Sequence, residues 1–528
     1  MVSNRSLACV AAALALPSCG LSDSPAVLDG SNEVLVAGEV QTDRGIVIGH
    51  SDGTITSFLG VPYAAPPVGA LRWKAPVPPT AWTTPLDAAA FGPACAQSAG
   101  GLDQNGPFSE DCLTVNVWTP NPTASAALPV MVFVHGGAFV HGGSNSPTYD
   151  GRTLATAGAV VVTMNYRLGV FGFLAHPALT AEDAHHSSGN AGLLDQQAAL
   201  RWVQTNITGF GGDPLRVTVF GESAGAMSVC AHIASPLAAG LFQRALGESG
   251  SCLMFSTPLA SAETLGNSVA GALGCNTDAD PLACMRSKTA DEVIAAAPGS
   301  EDPATAGIRL WPNIDGYVLP EPPAAAFAAG RINPLAAFLG GINRDESTLF
   351  TRMMTIDTQA DYEAAVARLV PAHTAEALAL YPVAHYSSFK DAYGALLTDA
   401  VFACPTRAQT QVLAARGTPS YLYHFDRATV FGTATGLGVY HGSELEFVFG
   451  NLTVRSGTAA AARAFSAQIR GYWNRFAATG SPNGAGATSW PPRTATSDAY
   501  LSLNDSSVAA SGFHAATCDV IETWHTVP

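Results

Sequence analysis

Short apolar segments alternate with longer stretches of helical periodicity along most of this chain. Segments that are apolar at nearly every position are typical of strands buried on both faces of a sheet. Five such segments predict strands: residues 130–134, 160–162, 217–220, 336–339 and 421–423. Because helical stretches separate them, we expect an α/β architecture with a mostly parallel central sheet flanked by helices.

The remaining patterns predict hairpins before this sheet and helices around it. Residues 34–58 alternate apolar and polar side chains between glycine turns, which is typical of β-hairpins. Residues 192–207 repeat apolar residues at helical spacing. Two Ala-rich stretches, about residues 260–297 and 360–379, predict helices that cap the sheet and shape a pocket. No linker-like segment or internal repeat interrupts residues 26–528, so we expect them to form one domain.

Composition argues against several classes of function. The chain has 528 residues, 48% of them hydrophobic and 12% charged, which is enough apolar material for a large core. The formal net charge of −16 argues against nucleic acid as a partner, because phosphate binding needs clustered Lys and Arg. Such a charge more often serves solubility. No group of Cys and His has zinc spacing. We expect that the protein requires neither a metal nor an organic cofactor.

Residues 1–25 are typical of an export signal. Arg5 provides a positive start, and residues 7–16 form an apolar, Ala-rich core too short to span a bilayer. Residues 16–20 resemble a bacterial lipobox in which Cys19 would be lipidated, although Pro17 is unusual there; ordinary cleavage nearby is the alternative. No later segment reaches ~20 apolar residues, so no transmembrane span is expected. We therefore expect a secreted or periplasmic protein, or an outer-membrane lipoprotein.

Two segments match the pattern Gly-x-Ser-x-Gly, which is weak evidence alone in a chain with 52 glycines. Residues 49–53 lie between two extended segments, and no helix follows, so they predict a hairpin turn. Residues 221–225 follow a predicted strand and lead into a helix-compatible stretch. That context holds a serine on a tight elbow above the sheet, beside a helix N-terminus that favours developing negative charge. Ser223 is the candidate nucleophile; a glycine-rich turn with an idle serine is the alternative.

A loop of small residues follows the predicted strand at residues 130–134. Its sequence is His135-Gly136-Gly137-Ala138-Phe139. Small residues there would let backbone N–H groups point at the carbonyl oxygen of a reacting substrate. A plain turn after a strand is the alternative, which becomes weaker because the same chain also carries the elbow at Ser223.

Several further motifs occur in the order found in one known family. They are Phe58-Leu59-Gly60-Val61-Pro62-Tyr63-Ala64, Ser109-Glu110-Asp111-Cys112-Leu113-Thr114-Val115-Asn116-Val117, Asn165-Tyr166-Arg167-Leu168-Gly169, Gly189-Asn190-Ala191-Gly192-Leu193-Leu194-Asp195-Gln196 and Phe210-Gly211-Gly212-Asp213-Pro214. With these segments the chain resembles the type B carboxylesterases, a family of bacterial esterases, fungal lipases and cholinesterases, from about residue 34 onward. The resemblance implies an α/β-hydrolase fold and a serine carboxylic-ester hydrolase.

The resemblance also implies a catalytic triad in the chain order serine, acid, histidine. Asp345 and Glu346 follow the predicted strand at residues 336–339, and the family pattern implies Glu346, although Ser347 stands where the family usually has glycine. The histidines beyond this point are His373, His385, His424, His441, His514 and His525. Residues 441–449 closely resemble the histidine motif of the family, which implies His441 as the general base.

Supporting roles follow from the same resemblance. Backbone N–H groups of Gly137, Ala138 and Ala224 would bind the oxyanion, with Ala138 in place of the usual third glycine of the family. This change need not impair function, because the donor is a backbone group. Glu222 and Ser249 would belong to a polar network that supports the histidine.

The family pattern also pairs six of the ten cysteines. The implied disulfides are Cys95–Cys112, Cys275–Cys284 and Cys404–Cys518. Export would permit such bonds, because disulfides persist in oxidising compartments. Beyond the N-terminal segment, Cys230 and Cys252 remain; Cys230 falls in the predicted helix behind Ser223 and is expected to be a small buried apolar residue.

The resemblance leaves four functional interpretations, and the first is a monomer that hydrolyses neutral, soluble small-molecule esters. A lipase acting at interfaces would need a mobile apolar lid, whereas residues 98–110 at that position are short and polar. A non-catalytic binding protein of this family would lack the triad, which is intact here. A cholinesterase would hold its cation on a tryptophan between the first paired cysteines, but residues 96–111 contain only Phe108 as an aromatic residue.

Overall fold

The computed structural model describes residues 38–98, 106–297, 310–457 and 459–524. The predicted export signal at residues 1–25, with Cys19, lies outside them, as do His525 and residues 99–105 of the segment compared with a lid. None of the helices in the described ranges is long and apolar enough to cross a membrane.

A mixed sheet forms the centre of the described part of the chain. The strands are β1 (Glu39–Gln41), β2 (Ile46–Ile48), β3 (His50–Ser51), β4 (Thr56–Pro62), β5 (Leu86–Asp87), β6 (Ala94–Cys95), β7 (Phe108–Ser109), β8 (Thr114–Thr119), β9 (Leu128–Val134), β10 (Val160–Met164), β11 (Gly212–Glu222), β12 (Arg244–Glu248), β13 (Ala337–Asn343), β14 (Ser420–Phe425), β15 (Ala499–Leu503) and β16 (Val508–Ser511). The order in the large sheet is β16-β15-β14-β13-β12-β11-β9-β10-β8-β4-β3. Neighbours from β15 to β10 are parallel, and the outer strands are antiparallel. The predicted mostly parallel sheet is confirmed.

Strand β9 shows why its residues are apolar at successive positions. Val130, Val132 and Val134 belong to the core on one face of the sheet, whereas Met131 and Phe133 belong to the core on the other face. Successive side chains of a strand point to opposite faces, so a strand covered on both sides must be apolar throughout. The apolar run in the sequence therefore reflects two separate layers of packing.

Helices supply both of these layers. They are α1 (Arg152–Ala155), α2 (Gly169–Phe173), α3 (Pro177–Glu182), α4 (Ala191–Asn206), α5 (Ala224–Ala234), α6 (Leu259–Ala272), α7 (Pro281–Ser287), α8 (Ala290–Ala296), α9 (Pro323–Ala329), α10 (Thr348–Thr351), α11 (Gln359–Leu369), α12 (Thr374–Leu380), α13 (Phe389–Leu397), α14 (Cys404–Ala415), α15 (Val430–Thr435), α16 (Leu445–Phe449), α17 (Ala460–Thr479) and α18 (Ala515–Trp524). Helices α4 and α5 pack on the face of Val132, and α16 and α17 pack on that of Phe133. A π-helix, Thr398–Ala403, joins α13 to α14.

Four disulfides connect described residues. They are Cys95–Cys112, Cys230–Cys252, Cys275–Cys284 and Cys404–Cys518. Cys230 is buried in α5, as expected, and its sulfur is bonded to Cys252, a pairing that the sequence had left open. Residue spacing alone could not predict this bond, because it depends on how α5 packs against the segment after β12.

Candidate active site

Ser223 lies at the turn between β11 and α5, at the carboxyl end of the parallel strands. Its backbone has φ 56° and ψ −121°, a conformation that non-glycine residues rarely adopt and that costs roughly 1–3 kcal/mol. Two glycines permit the turn: a Cβ at Gly221 would lie 2.6 Å from the carbonyl oxygen of Val134, and one at Gly225 would lie 1.9 Å from it. The geometry is that of a strand–turn–helix elbow.

Ser51 lies in a different setting, on the exposed strand β3 that pairs with β4 in a hairpin. Its hydroxyl oxygen accepts the N–H of Gly53 at 3.2 Å. The adjacent His50 contacts Asp87, at 2.5 Å, but neighbouring side chains of a strand point to opposite faces. That histidine–carboxylate pair is therefore not directed at Ser51.

The loop after β9 presents backbone N–H groups beside the elbow. A Cβ at Gly136 would lie 3.0 Å from the Cβ of Ser223, so the two segments are in contact. Gly137 has φ 106°, and a Cβ on it would lie 2.1 Å from a carbonyl oxygen of the same loop. Ala138 also lies in the left-handed region, with φ 54°. No backbone hydrogen bond between described residues uses the N–H of Gly137, Ala138 or Ala224, and Gly137 and Ala138 line the cavity at Ser223.

His441 precedes α16, and its side chain is held by a carboxylate. Nδ1 lies 2.6 Å from Oε2 of Glu346, in the loop after β13. Glu346 is fully buried, and its Oε1 accepts the N–H of Asn343 at 2.7 Å. The rings of Phe350 and Phe402 pack against the imidazole, with centroids 5.0 and 4.9 Å away. A carboxylate in this place favours a proton on Nδ1 and leaves Nε2 to accept one.

The second imidazole nitrogen, Nε2, lies 3.1 Å from Oε1 of Glu222, the residue before Ser223. Glu222 is buried, like the imidazole. Burial alone would lower the pKa of His441, but the charges of Glu222 and Glu346 and the hydrogen bond to Glu346 raise it to about 8. A base with this pKa is well matched to proton transfer near neutral pH.

Asp345 points away from the imidazole. Its Oδ2 accepts the N–H of Val439 at 2.7 Å and pairs with Arg344 at 2.9 Å. The other described histidines considered from the sequence do not line the cavity at Ser223: they are His373, His385, His424 and His514. Of the acids and histidines considered, the structure brings together Glu346 and His441.

A cavity of about 320 Å³ opens at the elbow, and both Ser223 and His441 line it. Tyr149, Phe350 and Tyr440 contribute aromatic rings to its wall. The described residues of this wall include no tryptophan. A mostly apolar recess of this size suits a small organic substrate whose reactive carbonyl reaches the polar groups at its base.

Comparison with known proteins finds relatives over most of the chain. Residues 36–521 match the carboxylesterase family. The chain belongs to this family. It is 38% identical to the para-nitrobenzyl esterase of Bacillus subtilis over 86% of this chain and 92% of that protein. It is 35% identical to the fumonisin B1 esterase of Sphingopyxis macrogoltabida, over 88% and 87%, and 34% identical to the acetylcholinesterase of Bungarus fasciatus, over 94% and 86%.

The carboxylesterase is therefore a carboxylic-ester hydrolase that acts on small-molecule esters, with the α/β-hydrolase fold. Its four disulfides fit a protein exported to an oxidising compartment.

Two buried carboxyl groups of the esterase were not predicted from the sequence. Glu248 ends β12 beside Glu222 of β11, and its Oε1 accepts the indole N–H of Trp473 at 2.7 Å. Glu444 lies in the turn before α16, and the side-chain amide of Asn343 donates a hydrogen bond to it. Burial, with neighbouring carboxylates, raises the pKa of Glu248 to about 8 and that of Glu444 well above its usual value. Glu248 is brought beside Glu222 by the pairing of two parallel strands, and no local sequence pattern predicts that pairing.

Ser249 is placed differently from Glu222. Its N–H donates to the carbonyl oxygen of Gly341 at 2.8 Å, and its backbone has φ 56°. Its buried hydroxyl has no hydrogen-bond partner among the described residues. Of the two supporting residues considered from the sequence, the structure brings Glu222 to the imidazole and shows no hydrogen bond from the Ser249 side chain.

Potential metal ligands cluster at one place in the described part of the chain, formed by Cys275, Asp278 and Cys284. The two sulfurs are bonded to each other, so neither is a thiolate that could hold a metal. This cluster is consequently a structural disulfide with a nearby surface carboxylate.

Proposed function

We propose that Ser223, Glu346 and His441 act as one catalytic unit that hydrolyses neutral carboxylic esters through an acyl-enzyme. The observation that supports this most is the hydrogen bond between Glu346 and Nδ1 of His441, on the wall of the cavity that also holds Ser223. The chain order of the three residues is that of α/β-hydrolases.

In the first half of the reaction, Nε2 of neutral His441 accepts the hydroxyl proton of Ser223 while the serine oxygen attacks the ester carbonyl. Glu346 accepts the hydrogen bond from Nδ1 of His441, which holds the ring in its orientation. The charge of Glu346 also stabilises the imidazolium that forms. His441 then gives the proton to the leaving alkoxide. The ester C–O bond breaks, an alcohol departs, and the acyl group remains on Ser223.

In the second half, His441 takes a proton from water as the water oxygen attacks the acyl carbonyl. The bond to the serine oxygen breaks, Ser223 regains the proton, and a carboxylic acid leaves. In both halves the negative carbonyl oxygen is bound by the N–H groups of Gly137, Ala138 and Ala224. A donor of this kind contributes roughly 2.7–4 kcal/mol to transition-state stabilisation.

The wall of the cavity favours neutral, water-soluble esters over choline esters and over triacylglycerols held at an interface. No tryptophan lines its described part, which disfavours a choline ester held by cation–π contact. Phe108, the aromatic residue in the segment compared with a lid, lies in the short strand β7. A triacylglycerol lipase is the second candidate, because some members of the resembled family act at interfaces.

We further propose that residues 1–25 are removed on export and that residues 26–528 act as a monomeric catalytic domain. The mature protein would be secreted or periplasmic, or held in the outer membrane by a lipid on Cys19. The four disulfides support export but do not distinguish these locations. Mass spectrometry of the N-terminal peptide of native protein tests this, and active protein that begins at Met1 or Val2 would contradict it.

Trapping of the acyl-enzyme tests the proposed catalysis. Protein mixed with p-nitrophenyl butyrate and quenched in acid should carry a butyryl group on the peptide that contains Ser223, as read by mass spectrometry. Ser223→Ala should carry none, and Ser51→Ala should be labelled like the wild type. Stable labelling of another residue instead of Ser223 would overturn the assignment.

A substrate panel separates the esterase from the lipase. We expect soluble p-nitrophenyl, aryl and benzoyl esters to be hydrolysed at concentrations where they are monomeric, with Ser223→Ala as the background. A lipase would show a sharp gain in rate when a triglyceride passes its solubility limit and forms an interface. Such a gain, together with weak activity on monomeric esters, would favour the second candidate.

A further inference from the structure

A row of side chains crosses the carboxyl edge of the sheet behind the imidazole. The strand register places Glu222 of β11 beside Glu248 of β12. Glu248 is beside Gly341 of β13, which is beside Tyr423 of β14. Register neighbours of adjacent strands lie about 4.8 Å apart, and their side chains leave the same face of the sheet. Two carboxyl groups and a phenol therefore share one face at this edge.

Gly341 leaves room for the phenol to join the row. A Cβ at Gly341 would lie 2.2 Å from ring atoms of Tyr423, so the ring lies across the position that a side chain would occupy. Tyr423 is fully buried, and its hydroxyl has no hydrogen-bond partner among the described residues. Burial, and the nearby charges of Glu248 and Glu444, raise the pKa of Tyr423 well above its usual value. The phenol thus stays protonated and borders the carboxyl groups.

The side chain of Glu248 has one hydrogen bond to a described residue. Its Oε1 accepts the indole N–H of Trp473 at 2.7 Å, while its Oε2 is buried without such a partner. Burial and the charge of Glu222 raise the pKa of Glu248 to about 8. Its surroundings therefore favour the protonated form of this carboxyl, which has an O–H to donate. The adjacent acceptor in the strand register is the carboxylate of Glu222.

The charges around the imidazole favour a protonated Glu248 beside an ionised Glu222. The imidazolium of His441 is a positively charged partner for Glu222 and Glu346, which both contact it. The other titratable groups that interact with the carboxyl groups of the row are Glu346, Glu444 and Tyr166, the last through the charge of Glu222. An ionised Glu248 would add a further buried negative charge beside Glu222 with no cation of its own.

We propose that Glu248 is a positioning residue of the esterase, which donates a hydrogen bond to Glu222 and so directs the Glu222 carboxylate at Nε2 of His441. Tyr423 bounds the row on its far side. This role rests on the proposed function of Ser223 and His441. Its consequence is that loss of the Glu248 proton places a second negative charge behind the imidazole and makes the imidazolium harder to deprotonate.

The pH profile of kcat/KM for p-nitrophenyl butyrate tests this role in Glu248→Gln. Glutamine keeps the shape and a hydrogen-bond donor but cannot ionise. We expect the plateau to stay within about threefold of the wild type, because the donor is retained. We expect the apparent pKa of the acid limb to fall by roughly half a unit and the limb to steepen, because no new charge builds up as the pH rises.

The matched control is Glu363→Gln, which changes an exposed glutamate of α11 that does not line the cavity at Ser223. Glu363 accepts a hydrogen bond from Gln359 and lies outside the row, so the pH profile of this variant should superimpose on that of the wild type. Infrared spectroscopy supplies a second readout, since the carbonyl band of a protonated carboxyl at neutral pH should weaken in Glu248→Gln and persist in Glu363→Gln.

Two results would overturn the inference. One is a Glu248→Gln profile that superimposes on the wild type. The other is a loss of activity in Glu248→Gln as large as that in Ser223→Ala, which would mean that the ionised carboxylate is required. The proposed function fails by a different result, namely activity that persists in Ser223→Ala, so the two failures are distinguishable.

Discussion

Four of the eight described non-glycine residues with φ in the left-handed region lie at or beside the elbow, and four lie elsewhere. Ser223, Ala138 and Ser249 have φ of 56°, 54° and 56°, although none is glycine. Such conformations persist only where the surrounding packing determines them, and they are common at functional sites. Here the close approach of Gly221 and Gly225 to the end of β9 provides that packing. The pattern Gly-x-Ser-x-Gly predicts this for Ser223, but nothing in the sequence shows that Ala138 is strained.

The activity should fall as the pH drops below about 8. His441 must be neutral to accept a proton, and its pKa is raised to about 8. The value of kcat/KM for a neutral ester should therefore reach a plateau at higher pH and fall about tenfold per pH unit well below it. Asp345→Asn is the control, because Asp345 does not contact the imidazole, and it should leave the apparent pKa unchanged. An acid limb centred at or below about pH 6.5 would contradict the account, since an imidazole without neighbouring carboxylates titrates near that pH.

At the scale of elements, strands with two covered faces were predictable and one central strand was not. Strand β9 is apolar at successive positions because both its faces meet core. Strand β12, Arg244–Glu248, is polar at both ends and contains glycine, and it is a strand because β11 and β13 pair with it on either side. The contact between Glu222 and Glu248 depends on that pairing. The buried row of carboxyl groups therefore could not be predicted from local sequence patterns.

The choice between Asp345 and Glu346 shows a similar limit. The predicted strand places both carboxylates near the site, and the residues themselves do not decide between them. The resemblance implies Glu346. In the structure the side chain of Asp345 accepts a hydrogen bond from the N–H of Val439, while that of Glu346 is hydrogen-bonded to His441. Two adjacent side chains diverge, so the backbone path of the loop after β13 determines which one faces the imidazole.

The disulfide Cys404–Cys518 should stabilise the C-terminal helix strongly. It ties α18 to the start of α14, directly after the π-helix that carries Phe402 against His441. It closes a loop with a sequence separation of 114, for which the chain-entropy model gives ~3–5 kcal/mol. Replacing both cysteines with serine should lower the free energy of unfolding in urea by about that amount. Replacing Cys275 and Cys284, separated by 9, is the control and should cost less. Equal losses, or a free Cys404 in exported protein, would contradict this.

At the scale of the whole molecule, surface charge and cavity chemistry make opposite predictions for cationic substrates. A net charge of −16 would attract a choline ester from a distance, but salt screens that attraction and it provides no binding surface. A desolvated cation–π contact with tryptophan is worth ~2 kcal/mol or more, and no tryptophan lines the described cavity wall. We expect kcat/KM for a neutral aryl butyrate to exceed that for butyrylthiocholine by at least about tenfold at physiological ionic strength. A preference for the choline ester would contradict this, and 34% identity to an acetylcholinesterase makes the comparison informative.

The central claim is that Ser223, and not the other Gly-x-Ser-x-Gly serine, performs the chemistry. The most direct test is kcat for p-nitrophenyl butyrate in Ser223→Ala beside Ser51→Ala, with folding of both checked by thermal melting. The account predicts a loss of roughly 10⁴-fold or more in Ser223→Ala, not enlarged by adding His441→Ala, because residues that act as a unit are not additive. It predicts wild-type activity in Ser51→Ala. Activity retained by Ser223→Ala and lost by Ser51→Ala would contradict it.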